Sequence, residues 1–349
     1  MQTYAYGHDF GNAETCGTIF VRNRKVSRSV PSAIAPGSLA ELKKLNIDLK
    51  PNYFVFRGLG ESAERYVGDL ALEQSGMSFS GRGDINRYWS DRSLTMLLTV
   101  ASSLIDEAEF GLNVVTGLPV QTYLGDPECR KKIKQVLEGT HVFSVNDRER
   151  IVHVKVERVI MEGAGAAIAY GSRDKMVQGI IDIGGRTTDL FVAKGQTPLR
   201  HLCTGKALGV EIAGDLLGKV FQEKYGRLFR NDEIRLALRE HVARKPLSPV
   251  TVRGERITDL VTLVEESLDQ IGNEIVSFVS SAWSESEGGS EVASSFSSIL
   301  CIGGGAYYFY EQLRERIPNL LFIENPEEAN SYGYAVFAEQ QLQHLHIAV

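Results

Sequence analysis

The chain has 349 residues, room for about two domains at roughly 150 residues each; with 43% apolar and 23% charged residues it is neither disordered nor fibrous. A net charge of −6, from 38 basic and 44 acidic side chains, works against a broad nucleic-acid-binding surface, which needs excess Lys and Arg. No run approaches the roughly 18 apolar residues of a spanning helix and Met1–Tyr4 lacks a signal-peptide layout, so a soluble protein without a membrane span is expected.

In chain order, Tyr4 to Ile19 reads as a two-strand hairpin around a Gly-containing turn. Val30-Pro31-Ser32-Ala33 starts another extended piece, because the residue before proline is pushed out of the helical region. Residues 38–87 are mixed in pattern, with Gly58-Leu59-Gly60 and Ser75-Gly76-Met77-Ser78, and suggest a small variable lobe. Leu94, Leu97, Leu98, Ala101, Leu104 and Ile105 recur at helical spacing, predicting an amphipathic helix from Ser93 to Ala108. Leu112 to Pro119 reads as a buried strand ending in a loop. A basic helix start at Arg130–Lys134 has the pattern of a solvated face. Val152 to Ile160 alternates like a strand, and the small residues from Ala164 to Ala169 suit a closely packed helix.

The second half repeats the theme. Gly179 to Ile183 is a strand, Gly184-Gly185 a turn and Leu190 to Ala193 the returning strand. Helices follow at Gly209–Tyr225, Asn231–Arg244 and from Ile257 to about Ser280. Ser284 to Ser298, rich in Ser, Glu and Gly, reads as a solvated loop. Ile299 to Ile302 is a short strand running into Gly303-Gly304-Gly305, and Ala329 to Gln340 is helical. Cys16, Cys129, Cys203 and Cys301 lack metal-ligand spacing. They read as small buried residues in a reducing, cytoplasmic compartment.

Two segments share one grammar: Asp9-Phe10-Gly11-Asn12-Ala13-Glu14-Thr15 and Asp182-Ile183-Gly184-Gly185-Arg186-Thr187-Thr188. Each puts an Asp at a strand end, then glycine, then small polar side chains. Glycine permits tight turns whose backbone N–H groups converge on phosphate oxygens. Paired aspartates can meet hydrated Mg²⁺ through its waters. One Asp-x-Gly turn is ordinary hairpin chemistry; two copies separated by strands and helices point to a nucleotide held by both. Gly303, Gly304 and Gly305 add backbone room for a base or sugar.

The order of phosphate turn, Glu-led small-residue helix, second phosphate turn, Gly-Gly-Gly and terminal helix resembles the actin, sugar-kinase and heat-shock-chaperone ATPase superfamily. Glu162 to Gly171 looks like that superfamily's first connecting helix, and Glu324 to Ala338, with Ala329, Gly333 and Ala335, like its second. Val30-Pro31-Ser32-Ala33, Tyr66-Val67-Gly68-Asp69-Leu70-Ala71, Arg87-Tyr88-Trp89-Ser90 and Asp182 to Asp189 are similar to the ParM-like bacterial actins of plasmid segregation. The resemblance spans essentially the whole chain.

It implies an α/β fold of two actin-like, ribonuclease H-like lobes. Each lobe is a mixed five-stranded sheet with flanking helices, and the nucleotide lies in the cleft between them. Domain I would comprise residues 1–178 and 325–349, with a variable subdomain at about 34–90, and domain II residues 179–324. The ligand would be ATP, with GTP as the open alternative, and Mg²⁺ held through water by Asp9 and Asp182. Glu162, with Asp182, would be catalytic, Glu162 orienting the attacking water; the bland reading is a helix-start Glu favoured by the dipole.

Phosphate contacts would come from Gly11, Asn12, Ala13, Thr15, Gly184, Gly185, Arg186, Thr187 and Thr188. Thr187 and Thr188 are equally ordinary strand residues, and Arg186 is left between phosphate and a cross-strand pair. Gly209 and Glu211 look like the ribose contact, with Lys206 nearby. Tyr307, in an aromatic run, would border the base or simply pack. Where several relatives carry a Lys, this chain has Cys16, which shifts phosphate binding onto backbone N–H groups and Mg²⁺.

The function implied is an ATPase that forms head-to-tail filaments, destabilised by hydrolysis. Its partners are itself and a small DNA-binding adaptor, without direct nucleic-acid contact. A cortical or cell-shape filament and a small-molecule kinase are the alternatives, though the clustered cysteines of zinc-bearing sugar kinases are absent. A chaperone-type ATPase is disfavoured because the sequence ends directly after the last connecting helix. A scaffold that binds nucleotide poorly would show no stabilisation by Mg-ATP.

Overall fold

The computed structural model describes residues 1–58, 63–75, 85–171, 176–284, 295–317 and 319–347. The chain divides into two compact units, Met1–Arg173 with Glu327–Val349 and Asp174–Pro326. Leu59-Gly60, Gly76-Met77-Ser78 and most of the Ser284–Ser298 segment lie outside the described residues.

The first unit opens with β1 (Thr3–Asp9), β2 (Glu14–Val21) and β3 (Arg24–Pro31), an antiparallel meander. The turn between β2 and β3 is Arg22-Asn23, both at positive φ, which suits a two-residue hairpin. β3 is the edge of the sheet, and Arg24, Lys25 and Arg28 protect it against edge pairing. Val30-Pro31 therefore closes a strand that began at Arg24, and Ser32 turns the chain into β4 (Ile34–Pro36).

The small elements follow: α1 (Leu39–Lys44), β5 (Tyr53–Gly58), β6 (Arg65–Gly68) and α2 (Asp69–Ser75). They have a core of their own around Ala35, Leu42, Tyr53, Val55, Tyr66 and Leu70. Then come α3 (Asp91–Leu104), β7 (Glu109–Leu118), α4 (Val120–Gly125), α5 (Cys129–Leu137), β8 (Gly139–Val145), β9 (Arg148–Met161) and α6 (Ala164–Tyr170). α3 stops at Leu104, short of the expected Ala108, because Ile105 is extended and buried.

The expected five-stranded lobes need correction. The first unit's sheet has nine strands among the described residues, in the order β3-β2-β1-β7-β9-β8-β5-β6-β4. β8 pairs antiparallel with both β9 and β5, so β5, β6 and β4 continue the main sheet.

The second unit comprises β10 (Val177–Ile183), β11 (Thr188–Lys194), β12 (Thr197–Pro198), β13 (Thr204–Lys206), α7 (Val210–Tyr225), α8 (Asn231–Val242), β14 (Thr251–Val252), β15 (Glu255–Arg256), α9 (Leu260–Trp283), β16 (Ser298–Ile302), α10 (Ala306–Arg314) and β17 (Leu320–Phe322). Among the described residues its main sheet has six strands, β12-β11-β10-β16-β17 with β13 on β11. β10 is central, and Ile180, Ile181 and Ile183 are fully buried, as a strand covered on both faces requires. Leu260, Leu263, Val264, Ile271 and Ile275 of α9 lie in this unit's core, at the i, i+3, i+4 spacing of an apolar helix face. The segment read as a loop already turns inward at Phe296, which is buried against Trp283.

The chain returns to the first unit as α11 (Ala329–Ile347), longer than the expected Ala329–Gln340. α11 packs on β1, β2, β7 and α6, with Tyr334 and Ala338 in a cluster with Ala5 and Val115. No helix among the described residues is long and apolar enough to cross a membrane.

Candidate functional site

The first turn joins β1 to β2, with Asp9 opposite Cys16 in register. Gly11 is required there, since a Cβ would stand 2.1 Å from the Glu14 carbonyl oxygen. The turn's carbonyls are taken from one side. Arg87 donates to Phe10 O (3.1 Å) and Gly11 O (3.4 Å). Ser32 Oγ donates to Gly11 O (2.7 Å), and Ser32 N to Ala13 O (2.9 Å). Arg92 in turn donates to Ser32 O. No peptide bond among the described residues is cis, and in a trans peptide the N–H points opposite to the C=O it shares a plane with. The amides of Gly11, Asn12 and Glu14 are thereby aimed away from Arg87 and Ser32.

Thr15 is buried, and its hydroxyl meets Ser32 Oγ at 2.8 Å. Its side chain shapes the turn from beneath and is committed inside the protein. Cys16 is buried too, and Ser331 of α11 donates to its Sγ at 3.2 Å. Burial pushes its thiol far above the usual range, and the nearby Asp9, Glu328 and Glu14 add to the shift, against the opposing Ser331 bond. His8 lies within the core, with Nδ1 2.9 Å from Tyr6 Oη and its ring edge-on to Phe10. Burial lowers its pKa to about 3.

Glu162, 9% exposed, follows β9, and its backbone N–H donates to Leu118 O at 2.8 Å. Gly163 then takes φ +84°, and its N–H donates to Asn330 Oδ1 at 3.0 Å. This ties the start of α6 to α11.

In the second unit, β10 and β11 pair with Asp182 opposite Asp189, and Gly184 N donates to Thr187 O at 2.8 Å. Here α7 takes the carbonyls: Val210 N donates to Gly184 O (3.3 Å) and Glu211 N to Gly185 O (2.6 Å). Gly209 permits the approach, because a Cβ there would lie 2.5 Å from Gly184 O. The amides of Gly185 and Arg186 consequently point away from α7.

Thr188 is fully buried, and its hydroxyl donates to Leu208 O at 3.1 Å. Thr187 is half-buried. Arg186 reaches α7 instead of crossing the strands, with Nη1 3.2 Å from Asp215 Oδ2 and 3.4 Å from Glu211 Oε2. Lys206 is exposed, its Nζ 6.0 Å from the centroid of the Phe278 ring.

The three glycines divide their work. Gly303, at φ +80°, leaves no room for a Cβ, which would fall 2.5 Å from Asp182 Oδ1. Gly305 N donates to Ile183 O at 2.7 Å, and a Cβ there would clash with Ile183. Gly304 between them has no atom within 4 Å of its Cβ position. Tyr307, half exposed, packs edge-on against Phe322, while Phe309 lies in the core.

Sequence reading missed the backing of each turn. Ser32 lies in a segment read as extended, Arg87 in one that carried the resemblance and Arg92 in neither, and nothing in their spacing links them to Gly11. No group of three or more His, Cys, Asp or Glu able to hold a metal occurs among the described residues.

Residues 7–165 match the family model for the N-terminal domain of actin-like proteins, and residues 180–315 that for the C-terminal part of archaeal, MreB-like actin homologues. No curated protein matches. Among solved structures, a 15-stranded ParM filament from Clostridium botulinum aligns with a TM-score of 0.77 at 22% identity, covering 97% of this chain and 100% of that one. Ta0583, an archaeal actin homologue, aligns at 0.72 and 20% identity over 97% and 100%; its complex with ADP aligns at 0.66 and 19% identity over 97% and 100%. Bacillus thuringiensis ParM with AMPPNP aligns at 0.68 and 16% identity, over 98% and 100%. These likenesses, all under 25% identity, show the fold; the two family models match residues 7–165 and 180–315, together most of the chain, and the chain belongs to the actin-like proteins.

Proposed function

We propose that this chain is a nucleotide-dependent filament protein that binds Mg-ATP, polymerises head to tail and is destabilised in the polymer by hydrolysis. The observation that carries this reading is the shared construction of the two Asp-led turns. In each, the carbonyls are bonded from one side and the amides are aimed to the other, the arrangement an anion nest needs. The open position at Gly304, between two glycines that admit no side chain, fits a sugar or base against the backbone. Solved structures of similar fold include a ParM filament and complexes with ADP and AMPPNP, which supports ATP as the ligand, with GTP as the other purine to test.

In this reading the amides of Gly11, Asn12, Gly185 and Arg186 hold phosphate oxygens, and the Ala13 and Thr187 positions complete the two turns. Asp9 and Asp182 would hold Mg²⁺ through its waters; that ion neutralises phosphate charge when bound. Glu162 orients the attacking water. Glu211, steadied by Arg186, accepts from the ribose hydroxyls, and Lys206 and Tyr307 stand at the periphery. Residues 1–178 with 325–349 and residues 179–324 serve as the two lobes. The cellular role proposed is cytoplasmic plasmid DNA segregation through a small DNA-binding adaptor.

Light scattering and electron microscopy of the purified protein with Mg²⁺ and ATP or GTP test the reading. Filaments that need nucleotide are expected; monomers at every concentration would overturn it. Glu162→Gln should slow hydrolysis at least tenfold while nucleotide affinity stays within about twofold.

A further inference from the structure

The two turns are backed by positive charge of different kinds. Behind Gly184 and Gly185 stands the N-terminus of α7, a 16-residue helix whose dipole places about half a positive charge there. Behind Phe10 and Gly11 stands a full guanidinium, Arg87, lying 4.2 Å from the Tyr88 ring centroid. Arg92 is beside it, bonded to Ser32 O, and Ser32 Oγ is bonded to the same Gly11 oxygen that Arg87 meets. Among the described residues neither arginine forms an ion pair.

Two neighbouring cations with no carboxylate partner among the described residues are a costly arrangement. Burial lowers the Arg92 pKa, and the charge on Arg87 lowers it further. Such a pair is stabilised when an anion binds within reach of its field. The peptide units of the turn lie with their oxygens toward Arg87 and their N–H groups away from it. Hydrogen bonds in a chain polarise one another, so a cation on the oxygen side strengthens the amides as donors on the far side.

We propose that Arg87 and Arg92 are positioning residues for phosphate binding, aiming and strengthening the Gly11 and Asn12 amides from the carbonyl side of the turn. The proposal rests on the nucleotide reading above. It assigns the positive charge for the first turn to residues behind the phosphates, in a chain whose Cys16, opposite Asp9, is buried.

The test measures affinity for Mg-ATP, Mg-ADP and AMP, at low and high salt, in the full-length protein. The variants are Arg92→Gln, Arg87→Gln and Arg87→Lys. If the guanidiniums act on phosphate charge, Arg92→Gln and Arg87→Gln lose about tenfold in ATP affinity, less in ADP and least in AMP. Their dependence on salt becomes shallower, as removal of a charge requires. Arg87→Lys, which keeps the charge, recovers most of the loss.

A merely structural role would lower Tm and reduce all three affinities by one common factor, with an unchanged salt slope. That result, or affinities equal to wild type, overturns the proposal. Should Arg87→Gln fail to fold, Arg92→Gln and Arg87→Lys still decide. A wild-type protein that binds none of the three nucleotides sinks the nucleotide reading itself, and this one with it; wild-type binding with unaffected variants sinks this one alone.

Discussion

Gly165 of α6 and Gly333 of α11 touch backbone to backbone: a Cβ on Gly333 would lie 1.7 Å from the Gly165 carbonyl oxygen. On the reciprocal side, a Cβ on Gly165 would fall 2.5 Å from Asn330 O. The contact fixes α6 at the distance where Asn330 Oδ1 accepts from Gly163 N, and so holds the chain that carries Glu162.

Gly333→Ala should therefore be among the most damaging single-methyl changes in the protein. The clash is with backbone on a packed helix, so neither partner can yield by a rotamer change. Overpacking of this kind costs about 3 kcal/mol or more, a fall in Tm of about 6 °C or more. Thermal melts of Gly333→Ala and Gly165→Ala read it directly, and a melting curve equal to wild type would show that the helices are farther apart.

The triple glycine offers a contrast within three residues. Gly304→Ala has open space around its Cβ and should change stability by no more than about 0.5 kcal/mol. If the backbone there receives the ligand, ATP affinity should nevertheless fall. Gly303→Ala meets both a positive φ and Asp182 Oδ1, and should lose stability first. Melting curves combined with ATP titrations separate the two; a strongly destabilised Gly304→Ala would contradict the geometry.

How much of this was legible in the residues depends on the range of the interactions. The two hairpins could be read because Asp, glycine and the flanking apolar strands sit next to each other. The strand Arg24–Pro31 could not, because an edge strand of Arg, Lys and Ser has no apolar alternation to reveal it. The nine-stranded sheet was equally hidden, since it depends on β8 accepting β5 as a second neighbour. Arg87 bonds Gly11 across 76 positions, and no local pattern encodes that partnership. Thr15 and Thr188 show the converse: their residue type suggested ligand contact, and only burial reveals that their hydroxyls are committed inside the protein.

Arg186 provides a decision between two chemistries. Paired with Glu211 and Asp215, with Asp215 about half exposed, it should contribute no more than about 1 kcal/mol to stability. If its role is to steady Glu211, Arg186→Gln should keep ATP affinity within about threefold while narrowing the preference for ATP over 2′-deoxy-ATP. A loss of tenfold or more for both nucleotides alike would instead make Arg186 a direct phosphate ligand.

His8 gives the chain an acid-sensitive core. Burial holds its pKa at about 3, against an ordinary value of 6.5, and Nε2 has no hydrogen-bond partner among the described residues. Between those two values the unfolded chain binds a proton that the folded chain refuses. Stability is thus complete above about pH 6.5 and falls as the pH drops toward 3, by up to about 1.4 kcal/mol per pH unit from this residue alone. Carboxylates contribute their own pH dependence, so the test is a difference between wild type and His8→Gln. Urea unfolding of both at pH 7 and pH 5 should show the variant losing about 1 to 2 kcal/mol less over that interval. Its stability at pH 7 is free to be lower, because Gln leaves the Phe10 ring without its aromatic neighbour. Parallel pH profiles for the two proteins would mean that His8 accepts a proton in the folded state, and that the core beside the first turn is wetter than its burial indicates.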